Sequence, residues 1–445
     1  MSSQIDATVA APFALPPLPK VINHTPWPAQ NFLHVDPQGD VFHVLVCRTT
    51  YSLRGMQHDG GSLAQPVLLP PELQPGLVTE DEYAGALNAS STVQESDFAP
   101  YKPLCDVLVV KATAYAPGGQ RVPRWNVGLR LGDALHKVLT VTGPRAMRPT
   151  LLGSGWQVDA AEPTTEVCLS YELAYGGPNV VQAHMSAPQA GAPQVEPGVE
   201  SGVDPLPGFY APNPIGTGRV GGRDTRQWIK QQCEQVSRCL RDGQGDPLPP
   251  ELRALANVTA QGHYRAPQIE QLDRPFDGAQ RDYPALGFGP LARWWGTRQA
   301  LAGTHDEAWK AAQWPKSPLD HDYRYWNCAP EDQQIPYPQG GEEIALANLT
   351  PPLASRPGPV RFALPQQDMS LLARLRAGPL LLLPMAIDTV VIDLQAATLA
   401  VVRRVLVPSD LEVRQFELGT WSAHDPLARN ALAMPAAQLA SKAQR

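Results

Sequence analysis

Proline sets the first limit on this fold. The 445-residue chain carries 48 prolines, about double the usual share of roughly 5%. Proline has no amide hydrogen to donate and its ring clashes with the preceding helical turn. It is therefore kept out of helix interiors and central strands. So many prolines force short elements joined by frequent loops, which favours a β-rich chain over a helical bundle.

The segments between the prolines agree. Val41 to Tyr51 is rich in β-branched and aromatic residues and long enough for a central strand. Leu104 to Ala116 repeats the theme and stops at Pro117-Gly118-Gly119, a strong turn signal. Trp125 to Leu131 and Leu135 to Val141 alternate about Gly132-Asp133 and predict a hairpin. One clear helical stretch follows, with Asp224 as cap, Trp228, Ile229, Val236 and Leu240 roughly on one face, and Gly243 as stop. Shorter helices are expected after Pro250 and over Asp306 to Gln313. Beyond Gly340-Gly341, brief apolar runs separated by Pro, Gly and Asp have the spacing of a small sandwich or barrel.

The expected fold is therefore mainly β, a β-rich α+β protein. Residues 1–20 form a flexible segment, and residues 21–340 a large domain of antiparallel sheets with few short helices and a helical insertion at about 219–263. Residues 341–445 form a smaller β-rich domain with a polar tail.

The net charge of −7 and the absence of any Lys/Arg cluster argue against a nucleic-acid partner, because phosphate binding needs a basic face. No charged n-region with a following apolar run opens the chain, and the longest apolar stretch, Pro379 to Ile387, is too short and proline-broken to span a bilayer. The six cysteines include no C-x-x-C pair and read as buried small hydrophobes of a reducing compartment. A cytoplasmic location without membrane contact is expected.

Candidate chemistry is sparse. Gly216-Thr217-Gly218-Arg219-Val220-Gly221 matches G-x-G-x-x-G, but it follows Pro212-Asn213-Pro214 rather than a strand, so a turn with positive φ is the stronger reading. There is no G-x-S-x-G elbow. His305-Asp306-Glu307 and His321-Asp322 lack metal-ligand spacing, and no cofactor or metal is expected. Five tryptophans do concentrate between Trp294 and Trp326, beside Arg293, Arg298 and Arg324. Large rings often pack beneath a loop-rich layer. Trp and Arg also dominate binding hot spots, which makes Arg293, Trp294, Trp295, Arg298 and the helical Trp228 the candidate protein-binding residues. Gly118, Gly119, Gly176, Gly177, Asn213, Pro214, Gly216 and Gly218 are read as structural turn residues.

An ordered series of motifs carries a resemblance. It comprises Lys102-Pro103 with Cys105 to Val110, Tyr115 to Gly119, Val141 to Arg145, Tyr171 to Gly177, Asn213 to Gly218, Phe288 to Arg298 and Tyr325 to Gln333. This series resembles the DUF2169 family of bacterial proteins found in type VI secretion gene clusters, from about Asn31 to Gly341 and more weakly through Arg404. Two departures stand out: Ala146-Met147 replaces an aromatic residue, and Arg219 to His263 is longer than the usual link. The resemblance implies an adaptor or chaperone that loads a toxic effector onto the secretion spike, and it brings no catalytic residues. Two alternatives stay open: a hydrolase assembled from distant residues such as His43, His136 or His305, and a structural component of the secretion machine. The oligomeric state is not readable.

Overall fold

The computed structural model describes residues 15–57, 63–87, 89–149, 156–177, 209–219, 264–279, 281–351, 358–421, 425–426, 428 and 430–434. The protein is β-rich, with two short α-helices among the described residues. These are α1, Gly296–Gln299, and α2, Glu307–Ala312. The Asp306 side chain accepts the Trp309 amide at 2.7 Å and so caps α2.

A seven-stranded sheet organises the chain. Its principal strands are β1 (Ala29–Val35), β2 (Val41–Gln57), β3 (Cys105–Val110), β4 (Gln334–Ile335), β5 (Ala386–Asp393) and β6 (Thr398–Pro408). They lie in the order β4-β3-β5-β6-β2-β1, with Gln65–Leu68 added to β2. Only β3 and β5 run parallel; β6 pairs antiparallel with β2 from Thr398↔Ser52 to Pro408↔Phe42. Strand β3 is buried throughout, and β6 is buried except at Thr398. A sheet covered on both faces requires such near-continuous apolar runs.

The boundary expected at about residue 340 falls between strands that share sheets. Strands β5 and β6 sit between β3 and β2. Glu343–Ala347 pairs with Arg124–Leu131, which forms the expected hairpin with Leu135–Thr142. Hydrogen-bonding partners are thus drawn from both ends of the chain.

Side-chain parity divides the central sheet. On one face Val107, Val109, Val390, Ile392, Leu399 and Val401 join Trp125, Val127, Leu129, Leu346 and Phe362 in the largest hydrophobic cluster. On the same face Leu45, Cys47, Val405 and Val407 pack with Leu371, Leu383, Phe416 and Leu418. The latter belong to a separate sheet containing Ser370–Leu375, Leu380–Pro384 and Val413–Gly419. Lys20–Asn23 joins that sheet parallel to Val413–Gly419. The opposite face carries Arg48, Thr50, Asp106 and Arg404 among smaller apolar groups, and all four are buried.

Candidate binding cleft

Buried charges need partners, because an unpaired ion loses its hydration without compensation. Here one set of partners comes from residues 71–98, a strap with little regular structure laid over the charged face. Arg48 Nη1 meets both oxygens of Asp97 at 3.0 and 3.2 Å. With its amide turned to satisfy both groups, Gln94 also accepts from Arg48. Arg404 pairs with Asp388 at 2.5 Å and donates to the carbonyls of Asp97 and Ala99. Asp97 then receives the Val78 amide at 2.8 Å, and Gln74 bonds both the amide and the carbonyl of Thr50. The strap is fixed at both ends to β2 and β6.

Its outer side is held by three motifs of the series, Tyr171 to Gly177, Asn213 to Gly218 and Phe288 to Arg298, which converge. Tyr175–Gly176 pairs parallel with Thr217–Gly218, and buried Asn213 donates to the carbonyls of Tyr171 and Tyr175 at 2.9 and 3.1 Å. Gly177 (φ +77) and Gly218 (φ +81) lie in the left-handed region. A Cβ on either would also strike Gly216 or Pro267, so glycine is required twice over. Tyr171 donates to the Gly289 carbonyl at 2.6 Å and meets the Trp295 ring edge-on with centroids 5.1 Å apart. From this joint Glu172 accepts from Ser91 of the strap, at 2.7 Å from its amide and 2.5 Å from its hydroxyl.

Arg298 completes the clamp. It pairs with Glu95 of the strap and donates to the carbonyls of Leu291 and Tyr325, each at 2.6 Å. Burial alone would pull its pKa down; the Glu95 carboxylate more than offsets this and raises it. Arg293 lies 3.3 Å from Asp81 and 3.7 Å from Glu95.

Behind the strap, Asp106 gathers five donors. They are Lys102 Nζ (2.7 Å), Asn327 Nδ2 (3.0 Å), the amides of Cys328 and Ala329 (3.0 and 3.2 Å) and the Cys328 thiol (3.5 Å). Burial would raise its pKa, but the Lys102 charge and these hydrogen bonds hold it below the usual carboxylate range. Burial pushes the Cys328 thiol well up, which favours the protonated form that donates to Asp106. Gln333 bonds the carbonyls of Val107 and Phe288, tying the 327–333 segment to β3.

Between strap and sheet opens a cleft of about 590 Å³. Arg48, Thr50, Val391, Asp393, Thr398 and Ala400 line its sheet side, and Pro75 to Glu82 its strap side. A smaller cavity of about 10 Å³ shares Arg48, Gln94 and Val391 and reaches Lys102, Asp97 and Arg404. Asp81 is engaged by Arg293, and Asp393 by Lys111 at 3.2 Å.

The candidate binding residues from the sequence therefore separate. Trp295 is fully buried and Arg298 is 3% exposed, so both are clamp residues that present no surface here. Trp294 and Arg293 are half-buried beside them. Trp228, the helical stretch around it and Gly221 lie outside the described residues. Of the residues read as turns, Gly118 and Gly119 have φ of +64 and +70. Gly216 to Gly218 serves the pairing with Tyr175–Gly176. Buried Pro214 flanks that joint, and Gly176 is closed off by Asn213. His43 is buried, His136 and His305 are exposed, and none lines the cleft. Among the described residues no group of three or more His, Cys, Asp or Glu could hold a metal ion. No described helix is long and apolar enough to cross a membrane. Sequence reading missed the strap carboxylates Asp81, Glu95 and Asp97. The available signal was the placement of Arg48 and Arg404 inside otherwise apolar strands; Arg403, next to Arg404, turns to the opposite face and meets Thr49.

Comparison with curated proteins and with solved structures gives no match. A family profile described as an uncharacterized protein conserved in bacteria (DUF2169) matches residues 38–232 and 251–404. Its one break lies inside the long 219–263 link, and its matched residues include the strap, the converging loops and the Asp106 hub. The chain belongs to the DUF2169 family.

Proposed function

We propose that this protein is an adaptor that binds a type VI secretion effector and helps load it onto the secretion spike, acting in the cytoplasm without chemical turnover. The observation that carries the reading is the cleft of about 590 Å³, whose strap wall is held by buried ion pairs. A pre-fixed wall lowers the ordering cost of association and so favours holding a partner. The resemblance carried by the motif series suggests the secretion pathway, and the cleft supports the reading as a candidate seat for a partner segment.

Co-purification of the full chain with the toxin encoded beside it is the direct test. The expected result is a stable complex that survives gel filtration. No complex with any neighbouring effector or spike protein would sink the proposal. Appearance of the protein at fixed stoichiometry in the secreted tube would instead make it a structural component.

A further inference from the structure

We propose that strand β1 forms the two-fold contact of a homodimer, pairing antiparallel with β1 of a second copy about an axis at Asn31. A second copy is a partner besides the effector, and the contact holds whether or not the adaptor reading does.

Edge strands present main-chain hydrogen-bonding groups and are normally kept short, charged or covered. Every other edge strand among the described residues has two to four residues. Lys20, Glu270 and Arg361 stand on three of them, and single bridges from Ala64 and Ala174 meet two. Strand β1 has seven residues, with no Asp, Glu, Lys, Arg or Pro and no shift in its register with β2. It ends the seven-stranded sheet, and no described strand lies beyond it.

Parity identifies the groups on the open side. The Arg48 amide donates to the Pro28 carbonyl at 3.1 Å, and the Asp36 amide to the Asp40 carbonyl at 3.0 Å. Antiparallel bonds alternate, so Gln30, Phe32 and His34 point their main-chain groups at β2. Ala29, Asn31 and Leu33 turn their N–H and C=O outward. The outward Val35 carbonyl accepts from the Ser317 hydroxyl at 3.2 Å, which closes the set at that end. The three remaining positions are symmetric about Asn31. A two-fold axis there sets Ala29 opposite Leu33 of the second copy and gives every outward N–H an outward C=O.

The surroundings select a second copy. The chain carries a net charge of −7, so an uncharged edge is where two copies approach at least cost. The segments bonded to this edge carry apolar side chains. Asn31 donates to the Pro19 carbonyl at 3.0 Å, beside Leu15 and Leu18, and Ser317 lies between Trp314 and Leu319. These four are 50–69% exposed, four of the ten exposed large apolar side chains among the described residues. Homodimer contacts are richer in apolar surface than other interfaces.

The test is sedimentation equilibrium of the full chain at several concentrations, and the expected mass is twice that of one chain. Asn31→Cys should give a reducible dimer whose linked peptide joins residue 31 to itself. Directly opposed Cα atoms about 5.5 Å apart lie within disulfide reach. Leu33→Pro removes an outward amide, a change that an edge strand accepts. It should weaken dimerisation about tenfold or more, because the two-fold loses that bond twice. Leu33→Ala loses the same side chain but keeps the amide, and should dimerise more tightly than Leu33→Pro. A parent that is monomeric at every concentration overturns the inference, as does a dimer with no link through residue 31. So does a Leu33→Pro variant that melts like Leu33→Ala and dimerises as well. If the proline variant does not fold, the cysteine link decides alone.

Discussion

The two faces of the central sheet solve burial in opposite ways. One face presents Val107, Val390, Leu399 and Val401 to another sheet as close-packed apolar groups, with buried Arg403 bonded there to the Thr49 hydroxyl at 3.4 Å. The other presents Arg48, Asp106 and Arg404 to a strap and loops, where each charge requires a particular partner. Apolar packing is tolerant of chemistry and demanding of volume. Ion pairing in a buried site is demanding of both, because removing one partner strands the other. The charged face thus gains definition: a segment with little regular structure is held in one place and becomes a cleft wall.

The largest expected effect tests that contrast. Asp106→Ala should cost about 3–5 kcal/mol or more, leaving Lys102 buried and unpaired, in a urea titration. Leu399→Ala on the apolar face should cost about 2–5 kcal/mol. The sharper experiment is the double change Lys102→Met/Asp106→Leu. On an ordinary buried pair it would be near neutral, but here the Cys328 and Ala329 amides also lose their acceptor. It should remain destabilised by about 2 kcal/mol or more. A neutral double variant would erase the proposed difference between the faces.

Next come the clamp residues. Arg298→Ala should cost about 3–5 kcal/mol and expose the strap to limited proteolysis between Pro75 and Glu82 before global unfolding. Trp295→Ala should cost about 3–5 kcal/mol, since its ring is fully buried. If either variant keeps the parent's melting temperature, the clamp is not structural.

A smaller effect is expected with pH. His34 is pulled down to about 4 by burial and by the neighbouring His321, whose own value burial also lowers. The unfolded chain binds the His34 proton at about 6.5 and the folded chain only near 4. Stability from this site is therefore complete above about pH 6.5 and is lost as pH falls towards 4, by roughly 1–3 kcal/mol. A His34→Gln variant should flatten this part of the stability–pH curve. The smallest effect is expected at Arg293, which is partly exposed: Arg293→Ala should cost less than about 1 kcal/mol. A larger loss would show that the half-buried rim belongs energetically with the clamp.

Much of the fold is legible in the order of amino acids alone. The proline load favours short elements, and Val41 to Tyr51 and the 125–141 hairpin form strands as their β-branched and alternating residues require. Leu104 to Ala116 forms two strands, Cys105–Val110 and Thr113–Tyr115, broken at Lys111. The three motifs Tyr171 to Gly177, Asn213 to Gly218 and Phe288 to Arg298 are recognisable because glycine and asparagine at constrained backbone positions are local features. Their convergence on Tyr171 is not readable, since contacts such as Tyr171 to Gly289 span 118 residues of chain. The same gap explains Trp295 and Arg298. Composition marks them as residues suited to an interface, and only their neighbours decide that they face inward.

The sequence by itself determined the class of structure, because backbone limits at proline and glycine and the strand pattern act within a few residues. Arg48, Asp106 and Arg404 stand inside apolar strands, a local sign of buried partners that the reading of the sequence did not take up. Which partners they find was decided by tertiary structure alone. Asp97 meets Arg48 across 49 positions and Glu95 meets Arg298 across 203. Pairings at such separations depend on how whole sheets and loops pack, and they turn the strap into one wall of a cleft.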